Sequence, residues 1–316
     1  MAQHSTAGSG AEQPPQRFFT IVPDGTTIDF VGLRRYTLWI SGVLILASLA
    51  LWVTRGGPNY GIDFVGGTMV HLRFQQGVDA PQIRSLLADA GYRDVQLQDL
   101  GGAENEFLLR LPTAPGNESV AKDATDALRG TLGPDAFEIR RSEMVGPKVG
   151  KDLRRKAILA VIASTLMMGL YLAFRFQLRF GIGAAVALAH DVVVTLGGLL
   201  LFNFEFDLPV VAALLTVIGF SVNDTVIVSD RIRENLRKMR RQSLESIANA
   251  SINETLSRTV ITTGTAIFVI LTLFLLGGSV IHGFAFTLLV GFVVGTYSSI
   301  FVATPIVLMF RDTERR

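Results

Sequence analysis

The 316-residue sequence has no cysteine, so it can form neither a disulfide nor a thiolate metal site. This leaves the redox compartment open. Histidine is scarce, at four residues, and no His-x-x-x-His pair or Cys/His cluster suggests a metal site. Charge is also in short supply. Asp, Glu, Lys and Arg make up 18% of the chain, against about 25% in soluble domains. Hydrophobic residues make up 49%, and the mean hydropathy is +0.41. A net charge of only +2 argues against nucleic acid as the main partner. The basic pI of 9.0 comes partly from Arg clusters beside apolar runs, where anionic lipid headgroups are the simpler partner. The first 16 residues are rich in Ser, Gly, Gln and Pro. They have neither the basic region nor the apolar core of a signal peptide. Residues 1–33 are expected to be a disordered cytoplasmic segment.

What the chain has in abundance is apolar length. Six runs reach the roughly 20 residues that cross a bilayer. They lie at about Tyr36–Val53, Ala157–Phe174, Phe180–Phe202, Leu208–Val228, Thr259–Leu276 and Phe284–Phe310, the last kinked or ended near Pro305. The domain plan is a first span at 34–54, an external domain at 55–153, a five-helix bundle at 154–310 with a loop at 231–257, and a tail at 311–316. Lys and Arg sort to one set of flanks: Arg34 and Arg35, Arg175 and Arg179, the 231–258 loop, and Arg311, Arg315 and Arg316. The opposite loops at 203–207 and 277–282 carry none, so both termini are expected to be cytoplasmic. Arg154, Arg155 and Lys156 run against the trend, beside a large translocated domain where the rule is weak.

The external domain alternates its patterns. Strands are expected at Gly67–Phe74, Arg93–Leu100, Glu106–Leu111 and Ala136–Met144, and helices at Ala80–Ala90 and Glu118–Leu132. That β-α-β-β-α-β order is ferredoxin-like. In the 231–257 loop, Arg231–Arg241 extends the fourth helix. Leu244, Ile247, Ala248, Ile252, Thr255 and Leu256 then form an apolar stripe, with Glu245, Asn249 and Asn253 on the other side. Two readings fit that stripe: a helix on the inner membrane face, or a loop helix packed on the bundle.

Against this apolar background a few charges stand out. Asp191, Asp224 and Arg258 lie in or at the edge of spans, with His190 beside Asp191, and no span contains Glu or Lys. Charge in a bilayer is costly and usually faces a protein interior or a water path. Ser221, Asp224, Thr225 and Val228 share one helical face. Arg258 opens the fifth span, with Thr262 and Thr265 above it. A titrating Asp opposite an Arg of fixed charge would make a proton-gated switch; a static ion pair with a snorkelling Arg fits the residues equally. His190 and Asp191 either relay protons or brace the bundle by hydrogen bonds. Gly291 and Gly295 form a G-x-x-x-G pair, and Gly197-Gly198 and Gly277-Gly278 add sites of close helix approach.

Two glycine-rich strings flank the external domain. Gly61-Ile-Asp63-Phe64-Val-Gly66-Gly67-Thr follows the first span and reads, from physics alone, as a membrane-surface turn. Gly146-Pro147-Lys-Val-Gly150-Lys151 is one residue short of phosphate-loop spacing, with Asp152 where Ser or Thr belongs. ATP binding is therefore excluded at that string, and it reads as a hinge between domain and second span. No catalytic residues, metal or cofactor are expected, and the chain reads as a non-enzyme.

These strings, with Ala189-His-Asp191, Ser221-Val-Asn-Asp-Thr-Val226, Ser229-Asp-Arg-Ile-Arg-Glu-Asn235 and Ser257-Arg-Thr259, occur in the order and spacing of the SecD and SecF translocase subunits. The chain resembles that family from about Arg34 to Phe310, and its SecF branch more than its SecD branch. The resemblance implies half of a resistance-nodulation-division type bundle: six transmembrane helices with one ferredoxin-like periplasmic domain between the first two. It implies proton-driven assistance of protein export in a bacterial inner membrane, with Asp224 and Arg258 at positions assigned to proton transport. The implied partners are SecD, the SecY channel complex extending to YajC and YidC, unfolded preprotein on the periplasmic side, and lipid. A proton-coupled exporter of small molecules or lipids is the alternative. Against it, the external residues leave little room for a cavity of roughly 300–1,000 Å³. A scaffold that only docks partners is the third reading.

Overall fold

The computed structural model describes residues 27–92, 95–100, 105–111 and 119–310. The expected tails at 1–16 and 311–316 lie outside the described residues. Among the described residues, six helices are long and apolar enough to cross a membrane. They are α1 (Arg34–Arg55), α5 (Pro147–Arg175), α6 (Leu178–Leu201), α7 (Leu208–Lys238), α8 (Leu244–Leu276) and a composite sixth. The sixth runs as α9 (His282–Ser298), a π-helical segment (Ser299–Ala303) and α10 (Thr304–Met309). α6, α7 and the sixth helix bury 56% of their most apolar windows, whereas α1, α5 and α8 bury 17%. The bundle therefore has an inner triad and three outer helices.

Small residues set the inner spacing. A Cβ on Gly291 would stand 2.2 Å from Val217 Cγ2, and one on Gly295 would stand 3.0 Å from Ser221 Cβ. The G-x-x-x-G pair is thus the α7–α9 contact. Gly183 lets α6 approach Ala303, and Gly197 lets it approach Ser48 of α1.

The α+β domain lies between α1 and α5. It is preceded by β1 (Asn59–Tyr60) and α2 (Ile62–Val65) and contains β2 (Gly67–Phe74), α3 (Ala80–Asp89), β3 (Gln96–Asp99), β4 (Glu106–Leu111), α4 (Val120–Leu132) and β5 (Phe137–Val145). The sheet order is β3-β4-β2-β5, all antiparallel, which is the ferredoxin-like arrangement. The side of the bundle that carries it is called the domain side here, and the other the far side. Val70, Leu72, Phe74, Ile83, Leu87, Leu109 and Leu128 form the domain core. It follows from the alternation of β2 and β4, whose inward residues are all buried.

Three expectations change. The stripe at 244–256 is not a separate helix, on the membrane face or in a loop. No Gly or Pro interrupts 244–263, so it runs unbroken into the fifth span as one 33-residue helix, capped by Ser243. Its apolar side, Ile247, Ala248 and Ile252, is buried against the bundle. In the sixth span the irregularity precedes Pro305. Pro305 cannot donate to the preceding turn, and the Thr304 hydroxyl bonds the Ser299 carbonyl five residues back, at 3.2 Å. The N-terminal segment at 1–33, expected to be disordered, is held from residue 28 onward by side chains of α8.

The α7–α9 contact can be tested by thermal unfolding in detergent. Gly291→Ala should lower the midpoint by several degrees, because overpacking costs about 1–3 kcal/mol and the β-branched Val217 has little rotamer freedom. Gly264→Ala on α8, with nothing within 4 Å of its added methyl, should leave the midpoint unchanged or raised. Equal behaviour of the two variants would refute a glycine-set contact.

Candidate functional site

Among the described residues, two carboxylates are fully buried in the bundle, Asp191 and Asp224, each at 0% exposure. Asp191 lies where α6, α7 and α9 meet. Its Oδ2 accepts from Ser221 Oγ at 2.6 Å and Ser298 Oγ at 2.8 Å, and its Oδ1 lies 3.0 Å from His190 Nδ1. His190 is also buried, its ring 6.2 Å from that of Tyr297, and its Nε2 has no hydrogen-bond partner among the described residues. Asp224 faces α8 and α9. Its Oδ2 accepts from Thr296 Oγ1 at 3.2 Å and from Thr263 Oγ1 at 3.5 Å, and those two hydroxyls are 2.9 Å apart. Its Oδ1 finds no partner among the described residues. Between the two sites, Ser299 Oγ reaches Thr225 Oγ1 at 2.9 Å and the Ser221 carbonyl at 3.3 Å. The π segment lets the consecutive residues Ser298 and Ser299 both be buried.

The expected face of α7 is confirmed: Ser221, Asp224, Thr225 and Val228 are all buried. The expected pairing with Arg258 is not. Arg258 is exposed, and no ion pair between it and Asp224 occurs among the described residues. Thr262 and Thr265 are exposed beside it, and each bonds carbonyls of its own helix. In this stretch of α8 the polar residues that face inward are Thr259 and Thr263. One residue along a helix turns the side chain by about 100°, so the inward column lies a single step from the expected one.

The glycine strings build the joint between domain and bundle. Gly61 N–H bonds the Phe206 carbonyl at 2.8 Å, extending the parallel pairing of β1 with β6 (Glu205–Phe206). Phe64 is buried against Tyr60 and Phe206. Asp63 Oδ2 accepts from Leu208 N–H at 2.9 Å and Asp207 Oδ1 accepts from Val210 N–H at 2.9 Å. Two carboxylates thus cap the N-terminus of α7, where its dipole favours negative charge. Gly66 and Gly67 have φ of 82° and 144°, and a Cβ on Gly66 would stand 2.7 Å from Pro147 Cα. Gly150 lies inside α5, its missing Cβ position 2.9 Å from Gly66 N. The expected hinge at 146–150 is therefore mostly a close-packed joint, and Gly146, with open space around it, is its one unconfined glycine. Arg110 on β4 pairs with Glu205, and Arg154 lies 5.3 Å over the Tyr60 ring, which accounts for a cation on the domain side.

Above this joint, between sheet and bundle, lies a cavity of about 540 Å³, lined among others by His71, Arg110, Glu205, Asp207 and His282. Its size corrects the expectation that the external residues leave little room for such a cavity. Burial, the foremost influence, pushes the Asp207 carboxyl above the usual range; the Val210 N–H opposes this, Asp63 adds to it, and Arg110 opposes it. Burial likewise lowers the Arg110 guanidinium from its ordinary value.

The profile "Protein export membrane protein SecD/SecF, C-terminal" matches residues 125–313, and "SecD/SecF GG Motif" matches residues 51–78. The protein translocase subunit SecF of Desulfurispirillum indicum is 45% identical over 90% of this chain and 92% of its own. SecF of Escherichia coli O157:H7 is 40% identical over 89% and 87%. Among solved structures, the crystal structure of SecDF, a translocon-associated membrane protein from Thermus thermophilus, aligns with TM-score 0.79 and 37% identity over 90% of this chain. This chain spans 39% of the length of that one.

The double cap yields a pH prediction. A carboxyl whose folded pKa is raised binds its proton more tightly when folded. Acidification through that pKa therefore stabilises the fold, and ionisation above it costs stability. Asp207→Asn keeps a good cap without the buried charge. It should match or exceed wild-type thermal stability at neutral pH and lose that increment of acid stabilisation as the pH falls toward about 4. Asp207→Ala should lose about 1 kcal/mol for the cap. Parallel wild-type and Asn profiles from pH-dependent melting would refute this account.

Proposed function

The chain belongs to the SecD/SecF protein-export family, on the SecF side, and on that premise we propose that it is an accessory subunit of a bacterial preprotein translocase that converts proton flow into assistance of export. The observation that carries this reading is Asp224: a fully buried carboxylate in a membrane helix, held on one oxygen by two threonines and without a partner on the other among the described residues. A structural carboxylate in such a place would have both oxygens satisfied. A carrier of protons needs one that is free to accept.

The outer face of α8 supports a SecD-type partner. Arg258, Thr262, Gly264 and Thr265 are exposed on a helix that spans the membrane. Polar and small residues on such a face suit another helix bundle better than lipid tails. On this reading the partner places its own carboxylate near Arg258 and completes a path that Asp224 begins. His190 and Asp191 brace the neighbouring site or extend the relay. The domain side faces the periplasm, where unfolded preprotein emerges from the SecY channel with YajC and YidC nearby, and both termini are cytoplasmic in the inner membrane. The subunit performs no covalent chemistry and needs no cofactor. Energy is adequate: one charge crossing ~150 mV releases about 3.5 kcal/mol, and ~1.4 kcal/mol already shifts a conformational equilibrium tenfold.

Asp224→Asn keeps shape and hydrogen bonding but cannot titrate. Proton-dependent export should fail, while the protein folds and holds its partner. If Asp224 were only structural, Asn would be tolerated, since a neutral amide costs less to bury than a charge. Arg258→Lys should keep part of the activity if a fixed positive charge suffices. Wild-type, proton-dependent export by Asp224→Asn in cells with no other copy would sink the proposal. Reconstituted alone, the chain should conduct protons poorly, and robust flux without a partner would remove the need for a second bundle.

A further inference from the structure

Asn249 and Asn253 hold a short stretch of backbone, residues 28–31, that leads through a turn into α1 on the far side. Asn253 Oδ1 accepts from Ile28 N–H at 2.8 Å, and its Nδ2 donates to the Ile28 carbonyl at 2.9 Å. Asn249 Nδ2 donates to the same carbonyl at 3.0 Å. Asn249 Oδ1 accepts from Phe30 and Val31 N–H at 2.8 and 3.2 Å. The two amides stand one helical turn apart on α8, so together they read main chain and no side chain. Arg34, the first residue of α1, adds an ion pair to Glu245 at 2.5 Å. Two side chains of the segment turn inward: Val31 is buried in the bundle core, and Phe30 packs on Phe301 of the π segment at 5.8 Å. The segment spans a far-side cleft of about 1,080 Å³ lined by Asp29, Gly32, Arg34, Asn249 and Glu254.

The strap joins elements at both ends of the molecule. α8 carries Thr263, which bonds Asp224. α1, which begins at the strap, is tied to α9 by Tyr297, whose hydroxyl donates to the Thr37 carbonyl at 2.8 Å. It ends at Gly56 and Gly57 and leads directly into β1 and the Gly61 joint.

We propose that Asn249 and Asn253 are positioning residues that clamp residues 28–31 as a strap, through which displacement of α8 on protonation of Asp224 is passed to α1 and so to the α+β domain. The groups facing Asp224 in this step are Thr263 of α8 and Thr296 of α9, with Arg258 of α8 as a fixed charge acting on it. His190, Asp191 and Tyr297 serve the neighbouring site. This inference rests on the proton-coupled reading above.

The test uses the full chain reconstituted with its partner subunit and the channel, and reads Asp224-dependent proton uptake and proton-dependent export separately. Asn249→Ala with Asn253→Ala should keep uptake and lose export stimulation by about fivefold, as expected for loss of a coupling contact. The chain has no cysteine, so Arg34→Cys and Glu245→Cys can be joined specifically by a short bifunctional thiol reagent when the other subunits are cysteine-free. That tether should restore export to the double variant. If the double variant fails to assemble, Asn249→Asp decides: it keeps the acceptor for Phe30 and Val31 and loses only the donor to Ile28, so it should show a smaller split in the same direction. Wild-type export in the assembled double variant, or in Asn249→Asp where that decides, overturns the strap. So does a parallel loss of uptake and export, or failure of the tether to restore coupling. Absence of Asp224-dependent uptake in the wild-type complex would instead defeat the proton-coupled reading itself.

Discussion

A carboxylate inside a bilayer has no water to fall back on, and that constraint orders this bundle. Removing an ionised group from water costs several kcal/mol unless protein dipoles replace the hydration shell. Here the dipoles are hydroxyls. Ser221 and Ser298 serve Asp191, and Thr263 and Thr296 serve Asp224. Hydroxyls can donate to a carboxylate or accept from a carboxylic acid, so the same shell accommodates both protonation states. It works only if α7 and α9 come close enough for short side chains to reach, which is why Gly291 and Gly295 sit on that contact. Backbone approach, hydroxyl length and buried charge are one problem with one solution.

The joint on the domain side follows a different logic. It carries full charges: Asp63, Asp207, Glu205 and Arg110. The motif after α1 does three things at once. Its glycines let β2 and α5 pass close together, Phe64 anchors in an aromatic cluster, and Asp63 caps a helix 145 residues further along the chain. Movement of the domain relative to α7 must break a cap or tilt the helix with it. A tight joint transmits motion better than a loose one, and this favours rocking of α1 and α5 as bodies over bending at 146–150.

Much of this was legible in the sequence where the signal is local. β2 and β4 fall on their expected residues, because alternation over six to eight positions with one buried face leaves a single register. The buried face of α7 was legible because one polar stripe stood out on an apolar span. What failed was non-local. Which side of α8 turns inward depends on where α9 packs, and the sequence offers both Thr259 with Thr263 and Thr262 with Thr265 as polar columns. The length of α8 was there to be read, since no helix breaker separates 244 from 263, but the apolar stripe drew attention to itself as a separate unit. Asn249 and Asn253 stood out only as the polar side of that stripe. Their partner is main chain more than 200 residues away, and backbone leaves no mark in composition.

The two faces of α8 show how the pieces bear on one another. Its inner face is satisfied within this chain, through Thr263 to Asp224 and through Ile247, Ala248 and Ile252 to the core. Its outer face carries a fixed cation and polar hydroxyls that no described residue covers. Its far-side end is held by salt bridges from Arg231 to Glu254 and from Arg34 to Glu245, and by the asparagine pair. A helix so placed senses three things together: the charge state of Asp224, whatever charge is set against Arg258, and the position of α1. Neutralising Asp224 weakens the pull of charge on its inner hydroxyls while leaving Arg258 unchanged, so the balance across the helix shifts toward its outer side. Because the far-side end is tied to α1, and α1 to the α+β domain, a small rotation of α8 is delivered to that domain. The bundle needs no large internal rearrangement for this, only one helix with differently satisfied faces and a connection at its end.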